Sequence, residues 1–343
     1  MSRHSQPADR SADTGSGPRV RRYALGATAV VAIVVGAAIW SWYAVCHPRL
    51  EIVEFPMLEP RDTPIAVAVA PDGTIWFTID FASAIGRIRH GHLERLPEPE
   101  TNLEPIGLAI APDGAAWYTD AAARQIQRIA PSGEVSSVTL ETPIAKLGKI
   151  VVAADGAVWF AEQSAYSVTR LKGGRLKRHV VDSIRAEPYG VAAAADGAVW
   201  ATLRAGNQLL RIAPDGAMKA FDIPTRGSGP TDIAVDSQGN VWFIEFRANR
   251  IGRFKDGSFA EFPVGEGPTA GLTGLAVAPD GAVWFGLLRK GTLGRLRDGR
   301  IREFRLPRES ARPYGVAVDA QGNVWYSDIS GFVGKLPAAQ ARR

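Results

Sequence analysis

The sequence predicts an all-β fold, a seven-bladed β-propeller made of four-stranded antiparallel blades. The main observation is a set of regularly spaced tryptophans, which recur every 41 or 42 residues. The set comprises Trp76, Trp117, Trp159, Trp200, Trp242, Trp284 and Trp325. A second observation is that a glycine stands three residues before each of them. A period near 40 with several short strands per unit is typical of propellers, in which each unit forms one blade.

Each unit begins with two short strands, which we call a and b. In the first unit, residues 65–69 are apolar and residues 74–78 are rich in β-formers, with Asp72 and Gly73 between them. Asp-Gly between two apolar stretches is typical of a hairpin turn, because glycine adopts the positive φ that such turns require. The nearly continuous apolar character of residues 65–69 indicates a strand buried on both faces.

Strands c and d follow. A basic residue stands eleven positions after most of the tryptophans, within a short apolar strand. These residues are Arg87, Arg128, Arg170, Arg211, Arg253 and Arg295, with Lys335 ten positions after the last tryptophan. We favour a structural role, in which each bonds the turn of a neighbouring blade, over a shared binding site. A second turn, such as Asp256-Gly257, then leads into an outer strand at 259–263.

The last unit lacks its outer strand, because the chain ends soon after residues 332–336. Residues 51–56 (EIVEFP) match the outer strand at 302–307 (REFRLP). We therefore predict that the N-terminal strand completes the last blade and closes the ring, which removes an exposed sheet edge. The propeller is expected to span residues 50–337, and residues 338–343 form a C-terminal tail.

The N-terminal region predicts a membrane anchor. Residues 1–22 are polar and have no apolar period, which is typical of a disordered tail. Residues 23–45 carry no charge and are long enough for one transmembrane helix. Arginines directly before this segment favour a cytoplasmic N-terminus and a periplasmic or extracellular propeller. A cleaved signal peptide is the alternative.

Charge and rare residues exclude several functions. The formal charge is +5, but residues 1–22 contain five Arg and two Asp, so only +2 remains for the rest of the chain, which gives no reason to expect a nucleic-acid partner. Cys46 is the only cysteine, so no intramolecular disulfide is possible. By the phase of the repeat, none of the five histidines reaches the central tunnel. We therefore expect no histidine base there.

Candidate site residues are those that break the repeat near the start of strand a or the end of strand b. The expected ligand-binding residues are Glu104, Lys149, Tyr189, Asp232, Thr273, Arg312 and Tyr314. The candidates for a catalytic role are Tyr189, Tyr314, Glu187, Asp232 and Asp328. Three alternatives remain open. The tyrosines could simply plug the tunnel, the acids could bond backbone groups or arginines, or several carboxylates could hold Mg²⁺ or Ca²⁺. The sequence predicts no metal site and no cofactor.

The repeat resembles the streptogramin lyases, or virginiamycin B lyases. The resemblance is carried by residues 71–78 (PDGTIWFT) with 85–88 (IGRI), 240–243 (NVWF) with 249–253 (NRIGR), and the strand a starts at 187–190 (EPYG) and 311–315 (ARPYG). It covers all seven units. It implies a seven-bladed propeller and a Mg²⁺-assisted elimination that opens the ester-closed ring of a cyclic depsipeptide antibiotic without hydrolysis.

The family's catalytic positions carry other side chains in this sequence. Its two histidines correspond to Thr273 and Tyr314. Its two glutamates correspond to Arg312 and Ile329, with Asp328 adjacent to the latter, and its tyrosine corresponds to Ile65. We therefore expect the fold to be shared and the chemistry of the site to differ.

Three functional hypotheses follow. The first is a membrane-anchored propeller that binds a small molecule or an envelope protein at the tunnel mouth. The second is an active lyase with a relocated site, in which Asp232, Glu187 or Asp328 acts with Mg²⁺. The third is a lactonase of the gluconolactonase type, although such propellers have six blades.

Overall fold

The computed structural model describes residues 51–80, 84–97, 104–142, 146–181, 186–265 and 270–342. These residues form seven four-stranded antiparallel sheets and one short helix. The predicted tail (1–22) and anchor (23–45) lie outside the described residues. Within the described residues, no helix has both the length and the apolar character needed to cross a bilayer.

The strands of each blade run from a, at the centre, to d, at the periphery. Blade 1 comprises β2 (Thr63–Val69), β3 (Ile75–Asp80), β4 (Ala84–Arg89) and β5 (His92–Pro97). Blade 2 comprises β6 (Pro105–Ile110), β7 (Ala116–Asp120), β8 (Gln125–Ile129) and β9 (Val135–Thr139). Blade 3 comprises β10 (Leu147–Val152), β11 (Val158–Glu162), β12 (Ser167–Lys172) and β13 (Arg175–Val180). Blades 4 and 5 are β14 (Pro188–Ala193), β15 (Val199–Leu203), β16 (Gln208–Ile212), β17 (Met218–Asp222); and β18 (Pro230–Val235), β19 (Val241–Glu245), β20 (Arg250–Lys255), β21 (Ser258–Pro263). Blades 6 and 7 are β22 (Leu272–Val277), β23 (Val283–Leu287), β24 (Thr292–Arg297), β25 (Arg300–Arg305); and β26 (Pro313–Val318), β27 (Val324–Asp328), β28 (Phe332–Leu336), β1 (Val53–Pro56). Helix α1 is Ala338–Ala341.

The ring closes as predicted, through the N-terminal strand. β1 pairs with β28 in antiparallel register, with Val53 opposite Lys335 and Phe55 opposite Val333. The seven inner strands contact one another in sequence, and β26 of the last blade contacts β2 of the first. β1 thereby covers the edge of β28 that the last blade would otherwise expose.

The repeated tryptophans fill the spaces between blades. Trp159 packs with Val191 and Val199 of the next blade. Trp325 of blade 7 packs with Phe77 of blade 1, so the same contact seals the junction between the last and first blades. A tryptophan buries a large apolar area, which explains why one recurs at each junction.

In four of the blades, an aromatic residue on strand b faces a glycine on strand c. Phe77 lies opposite Gly86, and its ring occupies the space that a side chain at Gly86 would need. Phe285 and Gly294 form the same pair in blade 6. Blade 4 reverses the sizes, with Ala201 opposite Leu210.

The basic residues of strand c have a structural role, as predicted, but the expected partner was wrong. Arg128 donates to Asp113 in its own blade at 2.9 Å, rather than to a neighbouring blade. Its guanidinium carbon also lies 5.9 Å from the ring centre of Trp117, the residue directly opposite it. Because the register places Arg beside Trp, the side chain runs along the ring and reaches the turn of the same blade.

Candidate functional site

A β-bulge at the start of strand a positions the side chains around the tunnel. The pairing of strands a and b shifts register there in all seven blades. In blade 4 the shift lies between Pro188 and Val191, and in blade 7 it lies between Pro313 and Val316. Bulges change the direction of a side chain locally. Several of the residues that the sequence predicts for the site, among them Tyr189 and Tyr314, lie within these bulges.

Hydroxyl groups join adjacent blades at this level. Thr202 accepts a hydrogen bond from the backbone N–H of Gly190 at 2.9 Å and donates to the carbonyl of Thr231 in the next blade at 2.6 Å. In blade 6 the corresponding strand b residue is Gly286, and Thr273 supplies the hydroxyl instead. The Thr273 Oγ1 donates to the carbonyl of Pro313 in blade 7 at 2.8 Å. Thr273, expected to bind ligand, therefore also fastens two blades together.

Backbones of neighbouring blades approach closely at the same level. A Cβ atom on Gly148 would lie 2.5 Å from the carbonyl oxygen of Tyr189, and one on Gly315 would lie 2.5 Å from that of Ile65. Only glycine tolerates such an approach. The inner strands of neighbouring blades are therefore held tightly together at this height.

A charged pair crosses the tunnel between blades 3 and 5. The Nζ of Lys149 lies 3.5 Å from Oδ1 of Asp232, and both side chains are less than one-fifth exposed. Burial opposes the charge on Lys149, but Asp232 and the nearby Tyr189 and Tyr314 outweigh it and raise the pKa of the lysine above its usual value. Lys149 is therefore an ammonium ion at neutral pH and not a free amine nucleophile.

Tyr189 of blade 4 lies beside this pair. Burial, with Asp232 and Tyr314, raises the pKa of Tyr189 to about 12, although Lys149 and Arg204 act in the opposite direction. Its phenol therefore keeps its proton at neutral pH. The guanidinium carbon of Arg204 lies 5.6 Å from the centre of the Tyr189 ring, a cation–π contact that helps to hold the ring in place.

A cavity of about 410 Å³ opens at the mouth, over blades 4 to 7. Four of the predicted residues line it, namely Tyr189, Asp232, Thr273 and Tyr314. The structure adds side chains that the sequence prediction missed: Arg204, Phe246, Arg247, Leu288 and Arg289. Sequence reasoning could have found the arginines, because they follow strand b in three consecutive blades.

The other predicted residues do not line this cavity. Asp328 is fully buried, and its carboxylate accepts the backbone N–H groups of Arg312 at 3.0 Å and Ser330 at 2.9 Å. The Asp120 carboxylate likewise accepts the N–H of Glu104 at 3.2 Å. These acids hold the backbone at the start of strand a, while the side chains of Glu104 and Arg312 are exposed.

Glu187 and Lys149 remain close to the cavity without lining it. Glu187 accepts a hydrogen bond from the Nε of Arg204 at 3.2 Å and lies 4.0 Å from the Nζ of Lys146. Through this charged hydrogen bond, Glu187 helps to position Arg204, one of the arginines that line the cavity.

The described histidines lie away from the tunnel, as predicted. His179 on the outer strand β13 packs against Trp159 with ring centres 5.2 Å apart. His90 and His92 lie at the turn between β4 and β5. A histidine base at the mouth is therefore not part of the described structure.

The donor set does not fit a Mg²⁺ site. Across the described part of the chain, no three His, Cys, Asp or Glu residues group closely enough to hold a metal ion. The two acids beside the cavity each face a cation: Asp232 faces Lys149, and Glu187 faces Arg204. A carboxylate already neutralised in this way is a poor ligand for a hard cation.

Comparisons with known proteins agree with the fold. The family model described as the virginiamycin B lyase family matches residues 43–207 and 172–341. A virginiamycin B lyase from Nocardia farcinica is 36% identical over 203 residues, covering 59% of this chain and 70% of that protein. One from Bordetella parapertussis is 49% identical over 45 residues, covering 13% and 15%.

Solved structures are similar as well. A catalytically inactive virginiamycin B lyase from Staphylococcus aureus with quinupristin superposes with a TM-score of 0.79 at 27% identity, covering 83% of this chain and 98% of that one. YCF48 bound to a D1 peptide has a TM-score of 0.67 at 12% identity, covering 84% and 96%. At that identity the second likeness concerns the fold alone.

Proposed function

Because this chain belongs to the virginiamycin B lyase family, we propose that it uses the family's propeller to bind a ligand at the tunnel mouth without the family's elimination reaction. The ligand is a small molecule or part of an envelope protein. The propeller is held at a membrane by residues 23–45 and faces the periplasm or the exterior. Neither a metal nor a cofactor takes part.

One observation carries the loss of chemistry: the three acids that the sequence offers for a catalytic role are each paired with a cation. Asp232 faces Lys149 at 3.5 Å, Glu187 bonds Arg204 at 3.2 Å, and Asp328 bonds Arg308 at 2.8 Å. A general base needs an accessible lone pair and a pKa near the working pH. In these three acids the cation occupies the lone pairs that a base would need. The family's histidine positions, Thr273 and Tyr314, supply no base either.

The cavity supports binding. Its volume of about 410 Å³ lies in the range of small-molecule sites. It combines apolar surface from Phe246 and Leu288 with polar groups from Thr231 and Asp232. Phe246 is 41% exposed, so its ring gives the cavity an accessible apolar surface.

A cavity-filling variant tests where ligands bind. Fragments that raise the melting temperature of the full-length chain should be identified first, and Leu288→Trp should abolish their effect by filling the cavity. Val180→Trp is the matched control, because Val180 is exposed on the outer strand β13. Fragment binding that survives in Leu288→Trp would place the site elsewhere and contradict the proposal.

Membrane attachment is tested by fractionation of cells that produce the full-length chain. The chain should sediment with membranes and resist alkaline extraction, whereas Ile33→Lys with Val35→Lys should release it, since charge at the centre of a span is costly. A chain that loses its first segment and becomes soluble would instead support the cleaved signal peptide.

The second candidate is an active lyase, favoured by the family match and by the 36% identical virginiamycin B lyase. Incubation with quinupristin and Mg²⁺ decides between the two. Elimination breaks the ester C–O bond without adding water, so a linear product of unchanged mass would separate from the substrate by chromatography. We expect no such product. A hydrolysed product would instead indicate a lactonase, although the seven observed sheets disagree with the six-bladed gluconolactonase type.

A further inference from the structure

Three arginines stand at equivalent places in three consecutive blades. Arg204 follows Trp200 by four positions, and Arg247 and Arg289 follow their tryptophans by five. In the other four blades these positions carry no basic residue; they are Asp80, Phe81, Ala121, Ala122, Gln163, Ser164, Ile329 and Ser330. The repeat does not require arginine there. The positive charge is therefore confined to one side of the mouth.

All three arginines line the same cavity of about 410 Å³. The propeller curves blades 4, 5 and 6 around it, so side chains that are distant in sequence border one space. Tyr189 and Tyr314 form its inner wall, and Phe246 and Leu288 contribute apolar surface. The cavity thus combines guanidinium groups with aromatic and aliphatic walls.

The two acids beside the cavity, Asp232 and Glu187, each face a lysine as well. Asp232, which lines the cavity, faces Lys149 at 3.5 Å. Glu187 is shared by Arg204 at 3.2 Å and Lys146 at 4.0 Å. Arg247 forms no ion pair or side-chain hydrogen bond with any of the residues that the structure describes, and it is exposed. A concave surface with an excess of one charge concentrates ligands of the opposite charge.

We propose that the ligand of this cavity is an amphiphilic anion, in which a carboxylate or phosphate group is joined to an aromatic or acyl body. This inference rests on the proposed binding function and specifies the class of ligand. Guanidinium groups bind both kinds of oxyanion through paired hydrogen bonds. The apolar body lies against Phe246, Leu288 and the tyrosines, and the anionic group faces Arg247 and Arg289.

Calorimetry with three matched probes tests the ligand class on the full-length chain in mild detergent. The probes are 4-phenylbutyrate, 4-phenylbutyl phosphate and the neutral 4-phenylbutyramide. At low salt, at least one anion should bind about tenfold or more tightly than the amide, and the difference should shrink as salt is added. Comparing the two anions distinguishes a carboxylate from a phosphate ligand.

Variants then locate the effect. Arg247→Gln with Arg289→Gln should weaken the anion about tenfold and leave the amide unchanged. Arg300→Gln is the matched control, because Arg300 is exposed and starts β25 at the opposite end of its blade. Circular dichroism and the melting temperature verify that each variant is folded.

The outcomes separate this inference from the proposed function. Equal binding of the amide and the anions, abolished by Leu288→Trp, would overturn the anion class while supporting the site. Anion binding that is unchanged in both the arginine variant and Leu288→Trp would overturn both. Failure of both anions to bind at millimolar concentration would overturn the anion class.

Discussion

Glu245 occupies the end of strand b in blade 5, where Asp120 and Asp328 hold backbone groups in their own blades. It is fully buried, but neither of its carboxylate oxygens makes a hydrogen bond to a described residue. Burial, reinforced by Glu261, raises the pKa of Glu245 to about 7, although Arg250 acts in the opposite direction. The carboxyl group is therefore largely protonated in the folded chain below neutral pH.

This shift predicts a pH dependence of stability. Between about pH 4.5 and 7 the folded chain holds a proton on Glu245 that the unfolded chain releases. The free energy of unfolding should therefore fall as pH rises through this window, by at most about 3 kcal/mol from this group. Denaturant unfolding of wild type and Glu245→Gln at both ends of the window measures the difference.

Glu245→Gln should lose this part of the pH dependence and should be the more stable protein at neutral pH, because the amide has no charge to bury. Glu309→Gln is the control, since Glu309 is exposed. If Glu245→Gln and wild type lose stability equally across the window, the assignment of the pH dependence to Glu245 is wrong.

At the scale of the strand, the pairs between strands b and c show how the blades vary without changing shape. Blades 1 and 6 pair a phenylalanine with a glycine, whereas blade 4 pairs Ala201 with Leu210. Both arrangements bury one bulky and one small side chain at the same place. The combined side-chain volume of the pair stays similar, but the bulky side chain comes from strand b in blades 1 and 6 and from strand c in blade 4.

This exchange can be tested by transplanting the pair. Ala201→Phe alone should overpack blade 4, and Leu210→Gly alone should leave a cavity, each costing about 2–4 kcal/mol. The double variant recreates the arrangement of blade 1 and should be more stable than the sum of the two single effects by about 1 kcal/mol or more. Chemical denaturation of all four proteins gives this coupling energy, and additive effects would contradict the exchange.

The site shows where sequence reasoning at this scale succeeds and where it fails. The asymmetric positions of strand a are visible in the sequence, because the repeat supplies an alignment of the chain with itself. Tyr189, Asp232, Thr273 and Tyr314 were found in this way and do line one cavity. Arg247 and Arg289 were missed because they lie beyond strand b, where loop conformation decides which way a side chain points.

At the scale of the whole molecule, a polar network secures the closure of the ring. Glu54 on β1 accepts hydrogen bonds from Arg308 at 2.9 and 3.1 Å and from the Tyr326 hydroxyl at 2.9 Å. Arg308 also bonds Asp328 at 2.8 Å, and its guanidinium lies 3.5 Å from the centre of the Phe332 ring. The two ends of the chain are thus joined by backbone pairing and by charge.

Deleting residues 50–57 should expose the edge of β28 and remove Glu54, one of the two acids that pair with Arg308. We expect a chain that aggregates or melts at a much lower temperature, because an unpaired edge invites pairing with other chains and Arg308 loses one of its two anions. Glu54→Gln separates the two effects, since it keeps the strand and removes only the charge. Melting of the deleted chain at the wild-type temperature, without aggregation, would contradict this role of β1.

The sequence by itself determined the number of blades, the strands within each blade and the closure by residues near position 54. These properties follow from a local sequence pattern that occurs in every unit. Seven copies support the same strand assignment, and the ring then requires only that neighbouring units pack together. The tertiary structure alone decided that Lys149 meets Asp232 across the tunnel, that the strand c arginines bond their own blades, and that three arginines share one cavity. Such contacts depend on the curvature of the ring and on the direction a bulge or loop gives a side chain, and these are set by how the blades pack together.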